Sequence, residues 1–194
     1  MSEQLVGKVP VGVSNRHLHV SQEDLETLFG SGYELTPLKD LSQPGQYAAE
    51  ETVTLVTSKG SIQRVRILGP VRPATQIEIS RTDAFGLGLR PPVRDSGSIK
   101  ESAGVVVVGP KGAVTLPEGV ILALRHMHMD LADAEAFGVK DKDVVTVKVG
   151  GERALTFDNV LVRVRDDFAL EFHIDTDEAN AAALNNGELA EVYK

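Results

Sequence analysis

A short histidine motif occurs twice in this 194-residue chain and limits the folds that it can adopt. Residues Arg16–Ser21 read Arg-His-Leu-His-Val-Ser, and residues Arg125–Asp130 read Arg-His-Met-His-Met-Asp. Each motif has the character of a strand and ends in a residue that caps helices well. A shorter copy, His173–Asp175, keeps the same spacing between the histidine and the capping residue. This recurring unit of strand, histidine and helix start predicts a duplicated, pseudo-symmetric architecture.

Strand patterns dominate the rest of the sequence. The segments that alternate or are rich in β-branched residues are Val9–Val13, Thr52–Thr57, Ile62–Leu68, Gln76–Ile79, Val105–Val108, Ala113–Leu116 and Val120–Leu124. A meander is predicted from Val144 to Ile174. Its tight hairpin turns are expected at Gly150-Gly151, Asp158-Asn159 and Asp166-Asp167. Short strands at this density indicate β-barrels or a sandwich.

Helical signals are few and short. The expected helices are Ser21–Phe29, Asp130–Phe137 and about Thr176–Asn185. The segment Arg81–Ala103 is rich in Gly, Pro, Ser and Arg and has no clear period, so it predicts a long functional loop.

The charge of the chain is unevenly distributed. The formal net charge of −8 argues against broad binding to nucleic acid or to anionic membranes. The segment Lys59–Lys100 nevertheless contains eight basic residues against three acidic ones, a local net charge of +5. This segment is either a solvated basic face or a site for a small, multiply phosphorylated ligand. The chain has no cysteine, which excludes disulfides, thiolate metal ligands and cysteine nucleophiles.

The two His-x-His pairs contain four of the five histidines, whereas random placement would give about a tenth of one such pair. Residues i and i+2 of a strand point to the same face, so two imidazoles can converge on one metal ion. The intervening residues, Leu18 and Met127, are expected to point into a core. A catalytic zinc site commonly has three protein ligands. Five histidines cannot supply two such sets, so one carboxylate should complete them. Imidazole and carboxylate suit zinc best, and other transition metals are possible.

Three further residues are ambiguous when taken alone. Glu78 lies on an alternating strand, and spacing alone would make it an exposed polar position. Arg72 lies between Gly-Pro and Pro, which suggests a rigidly held guanidinium suited to phosphate or simply a packed side chain. An isolated histidine such as His173 is more often a packed or surface residue than a metal ligand.

Four ordered motifs resemble those of the PduL-type phosphate propanoyltransferases, over about Val9 to the C-terminus. The motifs are Asn15–Ser21, Leu68–Pro73 with Glu78–Gly86, Arg125–Met129 and Glu171–Asp175. The resemblance implies a mainly β fold of two β-barrels, related by approximate symmetry and capped by short α-helices. One barrel would contain residues 6–15 and 124–194, and the other residues 16–123, with the basic loop 81–103.

The resemblance also implies a site. Two zinc ions per chain would be bound, one by His17, His19 and Glu78 and the other by His126, His128 and His173. Arg72 would bind phosphate. We expect Arg90 and Arg94, in the basic segment, to contact the phosphates of coenzyme A (CoA).

The implied activity is the reversible transfer of an acetyl or propanoyl group between CoA and inorganic phosphate, directly and without a protein nucleophile. The substrates would be acyl-CoA, CoA, phosphate and acyl phosphate. Two alternatives stay open: a binuclear zinc hydrolase, and a metal-binding module without chemistry. Only about eight residues precede the first strand, which favours a cytoplasmic location over encapsulation in a microcompartment. The sequence does not determine the oligomeric state, and a homo-oligomer is possible.

Overall fold

The protein is built mainly from β-strands, as its sequence predicts. The computed structural model describes residues 4–194. Its strands are β1 (Leu5–Ser14), β2 (His17–His19), β3 (Pro37–Asp40), β4 (Tyr47–Val56), β5 (Ser61–Gly69), β6 (Gln76–Glu78), β7 (Val93–Arg94), β8 (Ala103–Val108), β9 (Ala113–Ala123), β10 (His126–Met129), β11 (Val144–Val149), β12 (Leu155–Val164), β13 (Glu171–Asp175) and β14 (Leu189–Tyr193). Its helices are α1 (Gln22–Phe29), α2 (Arg81–Leu87), α3 (Leu131–Phe137) and α4 (Thr176–Ala182).

The strands form two closed six-stranded barrels, which confirms the predicted fold class. Barrel 1 has the order β1-β13-β10-β12-β11-β14. It belongs to a unit made of residues 4–14, Ser42–Pro44 and Leu124–Lys194. Barrel 2 has the order β4-β5-β2-β6-β9-β8 and closes because β8 pairs with both β9 and β4. Its unit contains Asn15–Leu41 and Gly45–Ala123.

The two barrels share one connectivity. In barrel 2, the histidine strand β2 pairs parallel with β5 and antiparallel with β6. In barrel 1, β10 pairs parallel with β12 and antiparallel with β13. Strand β9 pairs parallel with β6, and β1 pairs parallel with β13. Strands β1 and β9 each directly precede a histidine strand that belongs to the other barrel. The structure is therefore a duplication in which each half of the chain donates its first strand to the other half's barrel.

Each barrel has its own apolar core. Phe157, Phe172 and Met127 are among the side chains that fill barrel 1. Leu18 and Ile77 are fully buried in barrel 2. Burial of one such side chain stabilises the fold by about 1.5–3 kcal/mol. Leu18 and Met127 are both 0% exposed, so the residue between the paired histidines does point into the core in each case.

The helix predictions were right in part. Helix α1 begins after its cap Ser21, and α3 lies between Asp130 and the left-handed Gly138, as expected. Helix α4 ends at Ala182, earlier than predicted. The prediction of a long loop over Arg81–Ala103 was wrong for its first part, because Arg81–Leu87 form α2.

Two features of the predicted meander were also wrong. Strand β12 runs without a break through Asp158 and Asn159, where a hairpin turn was expected. Asn159 has a φ of 57°, and the pairing of β12 with β11 shifts register there, so these residues form a bulge rather than a turn. Strands β12 and β13 do not form a hairpin, because β10 lies between them. Within residues 4–194, no helix has the length and apolar character needed to cross a membrane.

Candidate metal centres

Barrel 2 brings together His17, His19 and Glu78. The two histidines lie on β2, and the register of β2 with β6 places His17 opposite Glu78. Side chains directly opposite in an antiparallel pair have Cβ atoms about 5 Å apart, so the three groups share one face. Their potential ligand atoms all lie within 4.8 Å of one another. The distance from His17 Nε2 to Glu78 Oε2 is 3.6 Å.

Barrel 1 brings together His126, His128 and His173 in the same way. His126 and His128 lie on β10, and His126 is opposite His173 on β13. One nitrogen from each ring lies within 4.8 Å of the others. The ring centroid of His173 is 5.0 Å from that of His126 and 4.7 Å from that of His128.

Backbone carbonyls orient three of the five rings. His17 Nδ1 lies 2.8 Å from the carbonyl oxygen of Asn15, and His126 Nδ1 lies 2.8 Å from that of Leu124. His19 Nδ1 lies 3.3 Å from the carbonyl oxygen of Leu68. A carbonyl only accepts hydrogen bonds, so Nδ1 carries the proton in each ring. The Nε2 lone pairs of these rings are then available to a metal ion.

Two of the buried histidines, His19 and His128, are held in their neutral form. Burial is the main cause that lowers the pKa of His19 to about 3, and the neighbouring His17 and Arg72 act in the same direction. Burial likewise lowers the pKa of His128 to about 2, with His126 and His173 adding to the effect. A histidine must be deprotonated to bind a metal ion, so both rings are ready to do so at neutral pH.

The structure offers a direct test of whether these groups suit a metal ion. Nδ1 of His128 is buried, and no described residue forms a hydrogen bond with it. Buried polar atoms almost always have a hydrogen-bond partner. A buried ring nitrogen without one, in a cluster of three imidazoles, is an atom to which a bound cation would give a partner. Imidazole and carboxylate donors without thiolates form a set that suits transition metals. The residues present therefore fit a metal ion in each barrel.

A hydrogen-bond network that the sequence analysis missed surrounds Glu78. Gln76, which lies opposite His19, donates from Nε2 to Glu78 Oε1 over 2.7 Å. Ser96 donates to the same oxygen over 2.8 Å. The backbone N–H of Gly97 donates to Gln76 Oε1 over 2.7 Å. These bonds fix the position of the carboxylate and connect it to Ser96 and Gly97 of the basic segment. The sequence signal for Gln76 was its position two residues before Glu78.

Glu171 has in barrel 1 the place that Gln76 has in barrel 2, opposite the second histidine of the pair, His128. The sequence analysis missed this residue too. Its carboxylate accepts hydrogen bonds from His173 Nε2 and, at 2.5 Å, from the hydroxyl of Ser42. Burial alone would raise the pKa of Glu171, but these hydrogen bonds outweigh it and lower the pKa. A Cβ atom on Gly12 would lie 2.6 Å from Cδ of Glu171, so a larger residue there would displace this carboxylate from its present position.

Arg72 lies beside the cluster of barrel 2. Its backbone N–H donates to the carbonyl oxygen of Val20 over 2.9 Å, which fixes it next to the end of β2. The charge of its guanidinium contributes to the lowered pKa of His19, so the two side chains are within electrostatic reach. Arg72 is half-buried.

The two arginines expected at the CoA phosphates lie in different settings. Arg94 lies on β7 and lines a pocket of about 610 Å³ in barrel 2, together with Gly97, Ser98, Ile99, Lys100 and Glu118. Arg90 is exposed and is not among the lining residues of that pocket. Gly97 also bonds to Gln76, so the pocket adjoins the hydrogen-bond network of Glu78.

Comparison with known proteins identifies the family of this chain. The family model of phosphate propanoyltransferase matches residues 10–185. A phosphate propanoyltransferase of Thermotoga maritima is 65% identical over 98% of this chain and 93% of its own length. That of Lachnoclostridium phytofermentans is 57% identical over 95% of this chain and 86% of its own length. That of Salmonella typhimurium is 52% identical over 92% and 85%, respectively. The chain therefore belongs to the phosphate propanoyltransferase family of acyltransferases.

Proposed function

We propose that this protein transfers a short acyl group, propanoyl or acetyl, reversibly between CoA and inorganic phosphate, with one zinc ion bound in each barrel. The observation that carries the proposal is the pair of buried triads, His17/His19/Glu78 and His126/His128/His173, in a member of this family. Each triad has three donors, which is the number that catalytic zinc sites use while keeping a position open for substrate.

Zinc is the metal that this donor set favours. The chain offers imidazole and carboxylate groups and has no cysteine. Such ligands suit zinc among the common cellular metals, and the lowered pKa values of His19 and His128 keep both rings neutral at neutral pH. When bound, zinc would supply charge stabilisation for a thiolate and for phosphate oxygens.

Phosphate is assigned to Arg72. A guanidinium presents a planar fork that can hold two phosphate oxygens at once, which leaves a third oxygen directed at the thioester. The half-buried setting of Arg72 strengthens this contact, because water screens it less. Arg72 thus binds and orients the attacking group.

CoA is assigned to the pocket around Arg94. Arg94 and Lys100 present two positive charges there against the one negative charge of Glu118, and this excess of positive charge suits the phosphate groups at the nucleotide end of CoA. Ser96 and Gly97, in the same segment, are hydrogen-bonded to Glu78 and Gln76. A cofactor held at the pocket could therefore extend its thiol end toward the cluster of barrel 2. Arg90 stays a prediction as a second phosphate contact.

The chemical step needs no covalent acyl-enzyme. A phosphate oxygen forms a bond to the thioester carbonyl carbon, and the carbon–sulfur bond then breaks to release CoA as the thiolate. The groups that line the clusters are imidazoles, carboxylates and a guanidinium, and the chain lacks the cysteine that would be the most reactive nucleophile. We therefore infer direct transfer between the two bound substrates, which the absence of cysteine supports.

The test is a stoichiometric assay in both directions. Propanoyl-CoA or acetyl-CoA with phosphate should release one thiol for each acyl phosphate formed, and treatment with a zinc chelator should abolish the reaction. Hydrolysis of acyl phosphate without CoA would indicate a hydrolase instead. An absence of any turnover in zinc-loaded protein would indicate a binding module. An acyl group trapped on the protein after an acid quench would contradict direct transfer.

A further inference from the structure

In each barrel, an arginine directly before the first histidine of the pair forms a salt bridge with an acidic residue of a helix. In barrel 2, Arg16 Nε lies 2.8 Å from Asp83 Oδ2, and Arg16 Nη2 lies 2.7 Å from Asp83 Oδ1. In barrel 1, Arg125 Nε lies 2.8 Å from Glu178 Oε1. Arg16 and Arg125 hold the same place in the repeated motif, so the duplication has kept this contact twice.

The acidic partners have equivalent places as well. Asp83 is the third residue of α2, and Glu178 is the third residue of α4. Each completes a capping box with the N-cap residue directly before its helix, Ser80 and Asp175 respectively. These two caps come two residues after Glu78 and His173, the third members of the triads. Each salt bridge therefore connects the histidine strand to the helix that follows the third ligand.

The carboxylates of these pairs are shielded from water. Asp83 has 7% of its side chain exposed and Glu178 has 21%, whereas the two members of the surface pair Arg165–Asp167 are 60% and 53% exposed. Exposed ion pairs are screened and contribute little. A charge-assisted bond to a buried carboxylate is stronger and holds its partners in a defined geometry.

The strands alone constrain the ligands weakly. Strands β2 and β6 have three residues each, and Glu78 is the last residue of β6. A metal site requires its ligand atoms to be placed within a few tenths of an ångström. We propose that Arg16–Asp83 and Arg125–Glu178 are positioning pairs, which set the distance between the histidine pair and the third ligand of each metal site. The inference rests on the metal sites of the proposed function.

Cobalt(II) is a suitable probe, because its visible spectrum reports on the coordination geometry. In a His126→Ala/His128→Ala background only the site of barrel 2 is left. There we expect Arg16→Lys and Asp83→Asn each to weaken Co²⁺ binding by about 10–100-fold and to change the spectrum of the bound ion. Asp83→Asn keeps a side-chain oxygen for the helix cap. Asp83→Glu should preserve both binding and spectrum, since a glutamate makes the same contact in barrel 1.

The reciprocal test uses barrel 1. In a His17→Ala/His19→Ala background, Arg125→Lys should weaken Co²⁺ binding in the same way. Glu191→Gln is the matched control, because it removes a salt bridge to Lys8 between β14 and β1, two strands of barrel 1 that carry no triad residue. The control should change neither affinity nor spectrum.

Two outcomes would overturn the inference. If Arg16→Lys and Arg125→Lys leave Co²⁺ affinity and spectrum as in their backgrounds, whatever their melting temperatures, the pairs are only structural. If the protein with both triads intact binds no Co²⁺, the metal sites of the proposed function fail and the inference fails with them.

Discussion

Barrel 1 and barrel 2 present the same four facing positions with different side chains. In both, two histidines occupy one strand, and two residues of the neighbouring strand lie opposite them. In barrel 2 the residue opposite the first histidine is Glu78, and the residue opposite the second is Gln76. In barrel 1 the corresponding residues are His173 and Glu171. Each set thus contains one carboxylate, but at a different position.

The difference changes what each site offers a cation. A carboxylate inside the triad, as in barrel 2, would neutralise one of the two charges of a bound divalent ion. A triad of three imidazoles, as in barrel 1, contributes no carboxylate and would leave the full charge of the ion available to an anionic substrate. The carboxylate of barrel 1 instead bonds to His173 and to Ser42. The duplication has kept the frame and the charge of the two sites while making them chemically distinct.

Loss of a triad histidine should give the largest effect and should show that neither barrel is sufficient alone. We expect His17→Ala and His128→Ala each to lower turnover by more than about 100-fold, because even residues that only support a metal ligand cost up to that factor. Turnover should be measured in zinc-replete buffer with acyl-CoA and phosphate. Near-normal turnover in either variant would mean that one barrel carries the reaction.

Arg72 tests the proposal that phosphate binds beside barrel 2. Arg72→Lys should lower turnover by about 100-fold, because a point charge cannot hold two oxygens and a misplaced group reacts slowly. Zinc content and CoA binding should be unchanged. Arg72→Ala should be slower still, with a higher KM for phosphate, and added guanidinium ion should restore part of its activity. A lysine variant with wild-type kinetics would remove Arg72 from the phosphate site.

Glu171 tests the carboxylate that sets barrel 1 apart. Glu171→Gln keeps the shape of the side chain but removes the charge that accepts from His173 and Ser42. We expect zinc to bind about tenfold more weakly in barrel 1, and the site of barrel 2 to be unaffected. Competition with a chromophoric chelator measures both affinities. Glu152→Gln, at an exposed position of the same unit, is the control. Equal behaviour of the two variants would show that Glu171 has no part in the site.

Arg94 should give the smallest effect. Arg94→Ala should raise the KM for CoA about fivefold and leave the KM for acyl phosphate unchanged, since Arg94 is exposed and partly screened. Arg90→Ala, outside the pocket lining, should have a smaller effect. Equal effects on both substrates would support the interpretation of the basic segment as a solvated face.

Local patterns made some of these features predictable and left others hidden. The histidine pairs could be identified because strand geometry places residues i and i+2 on one face. His173 could be identified from its sequence, because it keeps the histidine and the capping residue of the motif. Glu78 could not, because a carboxylate replaces the histidine. The structure shows that Glu78-Ile79-Ser80 is nevertheless a fourth copy of the unit. Only the resemblance to a known family singled out Glu78.

Non-local pairing explains the rest. Ser42 and Ser96 are far along the chain from the carboxylates that they bond, and no local pattern indicates such contacts. Asn159 was mistaken for a turn, because residues that tolerate a positive φ serve bulges as well as turns. Helix α2 was hidden by the glycines and basic residues around it, although its capping box at Ser80 was present in the sequence.

The central claim is that each barrel holds one metal ion, and the zinc content per chain tests it most directly. Elemental analysis should give two zinc ions in the wild-type chain, one in His17→Ala/His19→Ala and one in His126→Ala/His128→Ala. Circular dichroism should confirm that both variants stay folded. A wild-type chain with fewer than two zinc ions, or a folded variant that still holds two, would contradict the account.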